Sequence, residues 1–378
     1  MIPVAFQGLE FPDQRQLDWT EYESLQWMRA NQQYFHPDNG VYYDTGSITK
    51  VADLPSGGVR TSTLAANGKI YAGGLLTPHA FIFDPTDNTI VSQSTGGANL
   101  EAFASFYSPF TEKVYFSGGP NGARNISVID TNTDTLSYNV AGPIAESAYY
   151  PVSPVLDGRY AYGSTRPDEN IIQLDLLTTT LNTISVGAYT GDHNNGALAW
   201  NDTQWHSIGG GGSGLLIIDV TDGSVIEGNW NDGISLGPDS IRHLVQHPDG
   251  YLYSISFNSP YNIYRIDPVS KDIQIIGSAG QRYNIVAYEL GFDGRIYMST
   301  QDSRLAVLDP RNGNFFTPFI GTNKGEAVSP SLDGDLFIFT FFNASNPGVY
   351  KIPLVGKEKI KGVLQTGNHI AGRFRANY

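Results

Sequence analysis

The sequence of 378 residues contains no cysteine and only three methionines. Without cysteine it has no disulfide, no thiolate metal site and no thiol nucleophile. Basic residues are also scarce, since 23 lysines and arginines stand against 37 acidic residues and leave a net charge of −14. This balance argues against a protein that binds nucleic acid by neutralising phosphates.

Long apolar runs are missing as well. No run approaches the ~20 residues that a membrane-spanning helix needs. The first residues, Met1-Ile2-Pro3-Val4, lack the basic and apolar regions of a signal peptide. We therefore expect no membrane association, and a cytoplasmic or virion location.

Glycine and aromatic side chains are abundant instead. There are 42 glycines, aromatic residues make up 12% of the chain, and only 16% of residues are charged. A chain of this length and composition can bury a large core, which excludes intrinsic disorder as its overall class.

A short unit recurs, in which a polar turn precedes apolar alternation, as in Asn67-Gly68-Lys69-Ile70-Tyr71. The fifth position of the unit falls at residues 71, 115, 161, 205, 253, 297 and 337, at intervals of 40 to 48 residues. The Asn-Gly and Asp-Gly pairs in these turns supply the positive φ angles of tight hairpins. Alternation with a period of two predicts strands rather than helices.

A second series follows the first with the same period. An apolar segment ends in aspartate in six copies, at Asp84, Asp130, Asp175, Asp219, Asp267 and Asp309. A polar turn and another short apolar segment follow each aspartate. Each unit therefore holds four short strands, and units of this length with four strands are typical of propeller blades.

Seven copies predict an all-β fold, a seven-bladed β-propeller of four-stranded blades over residues 38–366. Two stretches are candidates for closing the ring, residues 41–51 and residues 348–364, because each looks like the last two strands of a blade. The sequence does not decide between them, and an eighth, split blade stays open.

Two segments lie outside the repeat. Residues 1–37 form an N-terminal extension in which residues 17–34 look helical, with Thr20 and Glu23 as a capping box. This helix would either plug one end of the propeller or dock a partner. The C-terminal tail, residues 367–378, continues a locally basic stretch that begins at Lys357. It is either a solvated segment or a docking element for an acidic surface.

The units resemble kelch and YVTN-type propeller repeats. The kelch-like feature is a double glycine that closes the second strand, at Gly73-Gly74, Gly118-Gly119 and Gly209-Gly210. The turn from Asp84 to Asn88 is similar to a kelch turn, whereas the tryptophan of the fourth kelch strand is missing. The resemblance spans nearly the whole chain and implies a fold without a particular activity.

The sequence lacks the marks of several propeller enzymes. Galactose oxidases need a cysteine crosslinked to tyrosine, and sialidases carry Asp-boxes that do not occur here. No Trp-Asp dipeptide supports a Trp-Asp repeat propeller. No Gly-x-Ser-x-Gly elbow, P-loop or dinucleotide fingerprint stands between a strand and a helix.

One set of polar residues could converge on the propeller axis. Alignment of the innermost strands on the hairpin that follows places a carboxylate or amide near one mouth of the channel in six blades. These residues are Glu101, Glu146, Asn195, Asp239, Asn284 and Glu326. Converging oxygen ligands are what Ca²⁺ requires, and the four carboxylates are the candidate metal ligands. The set resembles the axial metal site of propeller lactonases, although polar residues at a wet mouth need only water.

Other candidate binding residues are single side chains in or beside connecting segments. His193 is expected in a loop at the same face, where it would act as a base or ligand or would simply be solvated. Trp230 and Tyr261 are aromatic residues that could stack on a sugar or anchor a protein, or pack between blades. His243 and His247 are interpreted as structural, because residues four apart on a strand are ~13 Å apart.

The sequence favours a non-catalytic propeller that acts as a structural or protein-binding module without a required cofactor. Richness in Gly, Asn, Thr and Tyr with little Lys is similar to many phage and viral virion proteins. One alternative is a metal-dependent hydrolase or lactonase at the axial mouth, with a divalent cation such as Ca²⁺. Another is a carbohydrate-binding propeller, with a glycan as partner.

Overall fold

The structure is a computed structural model that describes the greater part of the chain. The described residues are 40–54, 58–74, 80–93, 102–108, 111–118, 126–137, 148–149, 153–154, 160–166, 171–184, 193–198, 204–209, 215–219, 225–230, 245–247, 249–256, 261–267, 269–270, 272–281, 285–300, 304–318, 325–340 and 347–357. The predicted helix at 17–34 and the C-terminal tail lie outside these ranges. Within them, no helix has the length and apolar character to cross a membrane.

Strands are the regular elements throughout the described ranges. The first two are β1 (Tyr42–Tyr43) and β2 (Thr49–Asp53). The first sheet contains β3 (Val59–Leu64), β4 (Ile70–Gly74), β5 (Ala80–Asp84) and β6 (Thr89–Gln93). The second contains β7 (Ala102–Ser108), β8 (Lys113–Gly118), β9 (Ile126–Asp130) and β10 (Thr135–Ser137). The third contains β11 (Ala148–Tyr149), β12 (Ser153–Pro154), β13 (Tyr160–Arg166), β14 (Ile171–Asp175) and β15 (Thr180–Ile184).

Four further sheets follow in chain order. The fourth contains β16 (His193–Leu198), β17 (Gln204–Gly209), β18 (Leu215–Asp219) and β19 (Val225–Trp230). The fifth contains β20 (Val245–Gln246), β21 (Leu252–Ile255), β22 (Asn262–Ile266) and β23 (Ile273–Ser278). The sixth contains β24 (Ile285–Leu290), β25 (Ile296–Thr300), β26 (Leu305–Asp309) and β27 (Asn314–Phe316). The last strands are β28 (Gly325–Pro330), β29 (Leu336–Thr340), β30 (Gly348–Ile352) and β31 (Leu354–Val355).

The first six sheets are antiparallel and each corresponds to one sequence unit, with β11 and β12 both paired to β13 in the third sheet. The glycines of the hairpins between first and second strands, Gly68, Gly250, Gly294 and Gly334, have φ angles of 73 to 94°. Third strands end at or just before the aspartates of the second series, as predicted. The prediction of an all-β propeller with four-stranded sheets is therefore confirmed.

The first strands of the sheets form a closed circuit. β3 contacts β7 and β28, β28 contacts β24, and β24 contacts β20. β20 in turn contacts β16, and β12 contacts both β16 and β7. Each first strand thus lies beside the first strands of two neighbouring sheets, around a common axis. The described ranges contain seven sheets in this circuit, while the blade count of the entire chain stays a prediction, as do the domain boundaries.

The seventh sheet joins the two ends of the described chain. It has the order β2-β30-β29-β28, so that the N-terminal strand β2 is its outermost strand. β2 pairs with β30 from Thr49↔Lys351 to Asp53↔Gly348. β1 and β31 form a separate two-stranded ribbon beside this sheet. Both candidate closing stretches therefore take part, one as the third strand and the other as the fourth.

The core lies between adjacent sheets. Second strands such as β4, β25 and β29 are buried along their whole length, whereas the outer strands β6, β10 and β27 are largely exposed. Phe83 of the first sheet packs against Phe337 and Phe339 of the seventh, with ring centroids 5.0 and 5.9 Å apart. Burial of such aromatic side chains supplies the main stabilisation between sheets.

One kelch-like glycine pair has a packing explanation. A Cβ atom on Gly73 would lie 2.4 Å from the Cβ of Ala102 on the next first strand, β7. Only glycine permits this approach, which brings the second strand of one sheet against the first strand of the next.

Candidate functional site

The first strands share an irregularity near the point where each begins. In five sheets the pairing with the second strand skips one residue there, which is the signature of a β-bulge. The skipped residues are Arg60, Phe103, Asn194, Val286 and Glu326. A bulge redirects side chains, so the axial mouth at this end is built from non-ideal strand geometry.

The predicted axial set is only partly described. Glu101, Glu146, Asp239 and Asn284 lie outside the described residues, and their assignment as ligands stays a prediction. Asn195 lies on β16 and Glu326 on β28, but the two positions are not equivalent. Glu326 is the skipped residue of its strand, whereas Asn195 is the residue after the skipped one. Asn195 and Glu326 therefore differ by one residue in register, and successive side chains of a strand point to opposite faces.

The side chain of Glu326 is fully buried, with a relative exposure of 0%. The equivalent bulge position on the adjacent first strand, β3, is Arg60, which is half-buried. Acid and base thus occupy equivalent positions on two strands that contact each other. Glu326 is not a carboxylate that projects into an open, wet mouth. Within the described ranges, no group of three or more acidic or histidine residues could hold a metal ion.

His193 lies on a strand rather than in the expected loop. It is the first residue of β16 and pairs with Gly209. Trp230 is the last residue of β19 and pairs with Leu215. Tyr261 immediately precedes β22, and its φ of 58° is in the left-handed region. These positions share the end of the propeller at which first strands begin, but they lie on different strands, from the axis outwards. The structure does not gather them into one cluster.

The other end of the propeller, here called the turn face, contains the turns between first and second strands and between third and fourth strands. Its best-defined polar motif joins a turn residue to the aromatic residue four positions later. The Tyr253 hydroxyl donates to Asp249 Oδ2 at 2.6 Å, and the Tyr297 hydroxyl donates to Asp293 Oδ2 at 2.7 Å. Burial, together with the neighbouring carboxylate, raises the pKa of both tyrosines well above the ordinary value. Both hydroxyls therefore act as fixed donors.

The same turns connect neighbouring sheets. Tyr71 of the first sheet donates to Asp134 Oδ1 of the second at 2.6 Å, and Lys69 forms an ion pair with the same carboxylate. The amide of Asn67 donates to the Thr131 carbonyl oxygen at 2.8 Å. These bonds fix the relative position of two sheets through groups that are partly shielded from water.

His247 is another connection of this kind. Its ring is buried, with Nε2 3.0 Å from the Gly294 carbonyl oxygen in the next sheet and Nδ1 2.9 Å from Asp249 Oδ1. Burial opposes the charge of Asp249, but hydrogen bonds from His247, Tyr253 and the backbone lower the pKa of this carboxyl. These contacts agree with the structural interpretation of His247.

The aspartates that end the third strands organise the second set of turns. In the five turns that the structure describes after these aspartates, the aspartate accepts a hydrogen bond from the backbone N–H two residues later, at 2.8 to 3.2 Å. The donors are Thr86, Asn132, Leu177, Val269 and Arg311. At two of these equivalent positions the side chain is apolar and exposed, with 62% exposure for Leu177 and 82% for Val269. Sequence reasoning missed both, although an apolar residue at a fixed distance after the aspartate was a visible signal.

Comparisons with known proteins address the fold. No protein-family model matches the chain. No curated protein matches it either. Solved structures do match over most of its length. A streptogramin B lyase structure is similar with a TM-score of 0.67 and 14% identity, covering 81% of this chain and 97% of that one.

Two further solved structures are similar to a comparable extent. A catalytically inactive virginiamycin B lyase from Staphylococcus aureus with quinupristin has a TM-score of 0.68 and 13% identity, covering 82% of this chain and 99% of that one. The WD40 β-propeller domain of Doa1 has a TM-score of 0.60 and 13% identity, covering 81% and 96%. At such low identity the likeness concerns the fold alone, and the chain has the fold of a β-propeller.

Proposed function

We propose that the chain is a non-catalytic β-propeller that binds a protein partner through its turn face. The observation that supports this proposal is the pair of exposed apolar side chains Leu177 and Val269 at equivalent turn positions. Their backbone N–H groups are bonded to Asp175 and Asp267, so both turns are held in place before a partner arrives. Apolar side chains on preorganised turns bind a partner at a low cost in conformational entropy.

A polar residue at the same turn position in another sheet provides a matched control. Thr86 occupies the same place in the first sheet, is also exposed, and has the same bond from its N–H to the aspartate. A photocrosslinking amino acid at 177 or 269, in the chain produced in its native source, is expected to capture one defined protein. The same amino acid at 86 is expected to capture much less. Equal capture at the three positions, or none, would contradict the proposal.

Affinity for the captured protein provides the second readout. A Leu177→Asp and Val269→Asp double variant should bind it at least tenfold more weakly, since each truncated anchor is worth roughly 1–2 kcal/mol. Thr86→Asp should leave the affinity unchanged. If the double variant also binds like the native chain, the turn face is not the binding surface.

A virion role is the more specific form of this proposal. Its support is compositional, since the chain is rich in glycine and tyrosine and poor in lysine. Particles purified from the source by density should contain the chain in a fixed ratio to the major capsid protein. Quantitative mass spectrometry of the fractions tests this, and a chain found only in the soluble fraction would contradict it.

A second candidate is a metal-dependent hydrolase or lyase at the axial mouth. The recurring bulges favour it, because bulges are enriched next to active sites. The two lyase structures illustrate an enzymatic use of the fold. Elemental analysis of the pure protein would then find about one divalent ion per chain, and Glu101→Ala or Asp239→Ala would remove it. Absence of bound metal after dialysis against Ca²⁺ and Mg²⁺ would eliminate this candidate.

A further inference from the structure

A cavity of about 120 Å³ lies on the turn face at the junction between the second and third sheets. One face of the second sheet forms most of its wall, and a turn residue of the third sheet, Thr179, completes it. Lys113 and Asp130 are half-buried there, whereas Ser137 is exposed, so the cavity opens to solvent. Its size suits a small organic molecule, since a cavity of ~150 Å³ holds benzene. The lining residues are Lys113, Tyr115, Val128, Asp130, Ser137 and Thr179.

The junction between the first and second sheets shows which group occupies the equivalent place there. Asp134, the fourth residue after the aspartate that ends the third strand, directs its carboxylate at the first sheet. The Tyr71 hydroxyl donates to Asp134 Oδ1 at 2.6 Å, and Lys69 Nζ forms an ion pair with Oδ2. A carboxylate from the neighbouring sheet is thus the partner of the lysine and the tyrosine at this junction.

The junction between the second and third sheets has the lysine and the tyrosine without that carboxylate. Lys113 and Tyr115 occupy the third and fifth positions of the repeat unit, as in the first sheet, but Thr179 stands where the second sheet has Asp134. Both turn residues have a φ of 55°, so their side chains leave equivalent turns in the same direction. Among the described residues, no carboxylate lies within ion-pair distance of Lys113 Nζ. The Tyr115 hydroxyl donates to the Leu176 carbonyl oxygen at 3.5 Å, which is the limit of a hydrogen bond.

The acid that already lines the cavity does not prevent a second carboxylate from binding. Asp130 Oδ1 accepts a hydrogen bond from the Asn132 N–H at 2.9 Å, within its own turn. Asp84 has the equivalent place and the same kind of bond in the first sheet, where Lys69 nevertheless pairs with Asp134. A strand-ending aspartate is therefore compatible with a carboxylate on the lysine.

We propose that this cavity, here called the junction pocket, binds the carboxylate group of a ligand, with the Lys113 ammonium as its counter-ion. Tyr115 and Ser137 line the same pocket and supply hydroxyl donors. Burial raises the pKa of Tyr115, so its hydroxyl keeps its proton at neutral pH. Val128 adds an apolar wall, which suits an acid with a short carbon chain. The carboxylate belongs either to a small free acid or to an acidic side chain of a protein, and the experiment distinguishes the two.

Titration of the purified full chain with sodium acetate and sodium glutarate tests the proposal. Sodium chloride at equal ionic strength is one control, and acetamide, which has the shape of acetate without its charge, is the other. We expect saturable shifts of the Lys113 and Thr179 backbone amide signals in ¹H–¹⁵N spectra with the two acids alone. Lys113→Met should weaken their binding roughly tenfold or more, because a charged hydrogen-bond partner is lost. Absence of shifts, equal shifts with acetamide, or unchanged binding in Lys113→Met would overturn the proposal.

A glutamate blocked at both its amino and its α-carboxyl group identifies the source of the carboxylate. Binding as tight as that of glutarate supports the pocket as a site for an acidic side chain of a protein. Binding at least tenfold weaker than that of glutarate supports it as a site for a small free acid. If neither compound binds, the junction pocket is not a carboxylate site.

Substitution at position 179 gives a readout that needs no added ligand. Thr179→Asp supplies a carboxylate at the place that Asp134 has in the second sheet, and it should abolish acetate binding. Thr179→Asn has the same shape without the charge and is the matched control. Thr179→Asp should also unfold at a higher urea concentration than Thr179→Asn at pH 7, and Lys113→Met should remove this difference. If Thr179→Asp binds acetate like the native chain, or the difference survives Lys113→Met, the lysine does not receive a carboxylate in this pocket and the proposal is wrong.

Discussion

At the scale of single residues, four of the described turns impose a left-handed conformation on the fourth residue after the aspartate that ends the third strand. Asn88, Asp134, Thr179 and Gly313 occupy this place, with φ angles of 55 to 70°. Asparagine, aspartate and glycine adopt this region readily, whereas a β-branched side chain is strained there. Thr179 is therefore the costly member of the set.

Replacement of Thr179 by asparagine should relieve this strain. We expect Thr179→Asn to raise the free energy of unfolding by about 0.5–1 kcal/mol, a fraction of the ~1–2 kcal/mol cost of the left-handed region. The reciprocal change Asn88→Thr, at the equivalent place, should lower it by a similar amount. Urea unfolding of both variants checks this, and a loss of stability in Thr179→Asn would contradict it.

The loss of stability on removing a tyrosine hydroxyl of the turn face should depend on how deeply its carboxylate acceptor is buried. Tyr297→Phe removes the short hydroxyl bond to the fully buried Asp293 Oδ2, which then keeps only the 3.4 Å contact with Arg295 Nη1, at a cost of about 1–3 kcal/mol. Tyr253→Phe should cost less, because the Asp249 side chain is 29% exposed and retains His247. Denaturant unfolding of the two matched variants measures the difference. Equal costs would show that burial of the acceptor does not control the effect.

At the scale of strands and sheets, the close contact between Gly73 and Ala102 means that a larger residue at position 73 should destabilise the chain. Gly73→Ala places a methyl group 2.4 Å from Ala102 and should destabilise the chain by about 1–3 kcal/mol through overpacking. Gly277→Ala is the control, because its Cβ would meet no atom closer than 3.4 Å. Thermal unfolding of the two variants should separate them clearly, and equal melting temperatures would contradict the packing argument.

Much of the element structure was predictable because its signals are local. Asn-Gly and Asp-Gly turns located the hairpins, and aspartates such as Asp84 and Asp130 located the ends of third strands. The bulges were not predictable, since one extra residue such as Glu326 changes no composition or period. Asn195 and Glu326, aligned from the sequence, therefore differ by one residue in register. The pairing of β2 with β30 also had no local signal, because its partners are far apart in sequence.

At the scale of the whole molecule, acid should weaken the ion pair between Lys357 and Asp333, which holds the end of the described chain on the seventh sheet. Burial opposes the charge of Asp333, but bonds from Lys357 and Ser331 lower the pKa of this carboxyl. A lowered folded-state pKa stabilises the fold above the unfolded value of ~3.9, and this stabilisation is lost as pH falls through the folded value.

Asp333→Asn tests that dependence. We expect it to reduce the free energy of unfolding at pH 7 by less than ~1 kcal/mol, because the side chain is 54% exposed and screened by solvent. The difference in the free energy of unfolding between the variant and the native chain should narrow as pH falls below ~4. Urea unfolding from pH 7 to pH 3 measures this difference. A difference that grows in acid would contradict the expected direction of the pH dependence.

Because β2 is the outermost strand of the seventh sheet, removal of the N-terminal strands should destabilise the chain. A chain without residues 1–54 lacks both β1 and β2, so it leaves the edge of β30 unpaired and the ribbon partner β31 alone. It should unfold at a lower temperature and self-associate through the open edge. A chain without residues 1–39 keeps every described strand and is the control. Similar melting temperatures and sizes for the two truncations would contradict a closing role for β2.

The split seventh sheet also affects how the protein is made. Asp53 pairs with Gly348, so β2 leaves the ribosome 295 residues before the strand that it needs. At roughly 5–20 residues per second, this interval is roughly 15–60 s. During that time the six intervening sheets can form, while β2 has no native neighbour. Nascent chains stalled before residue 348 should therefore be the species most dependent on chaperones.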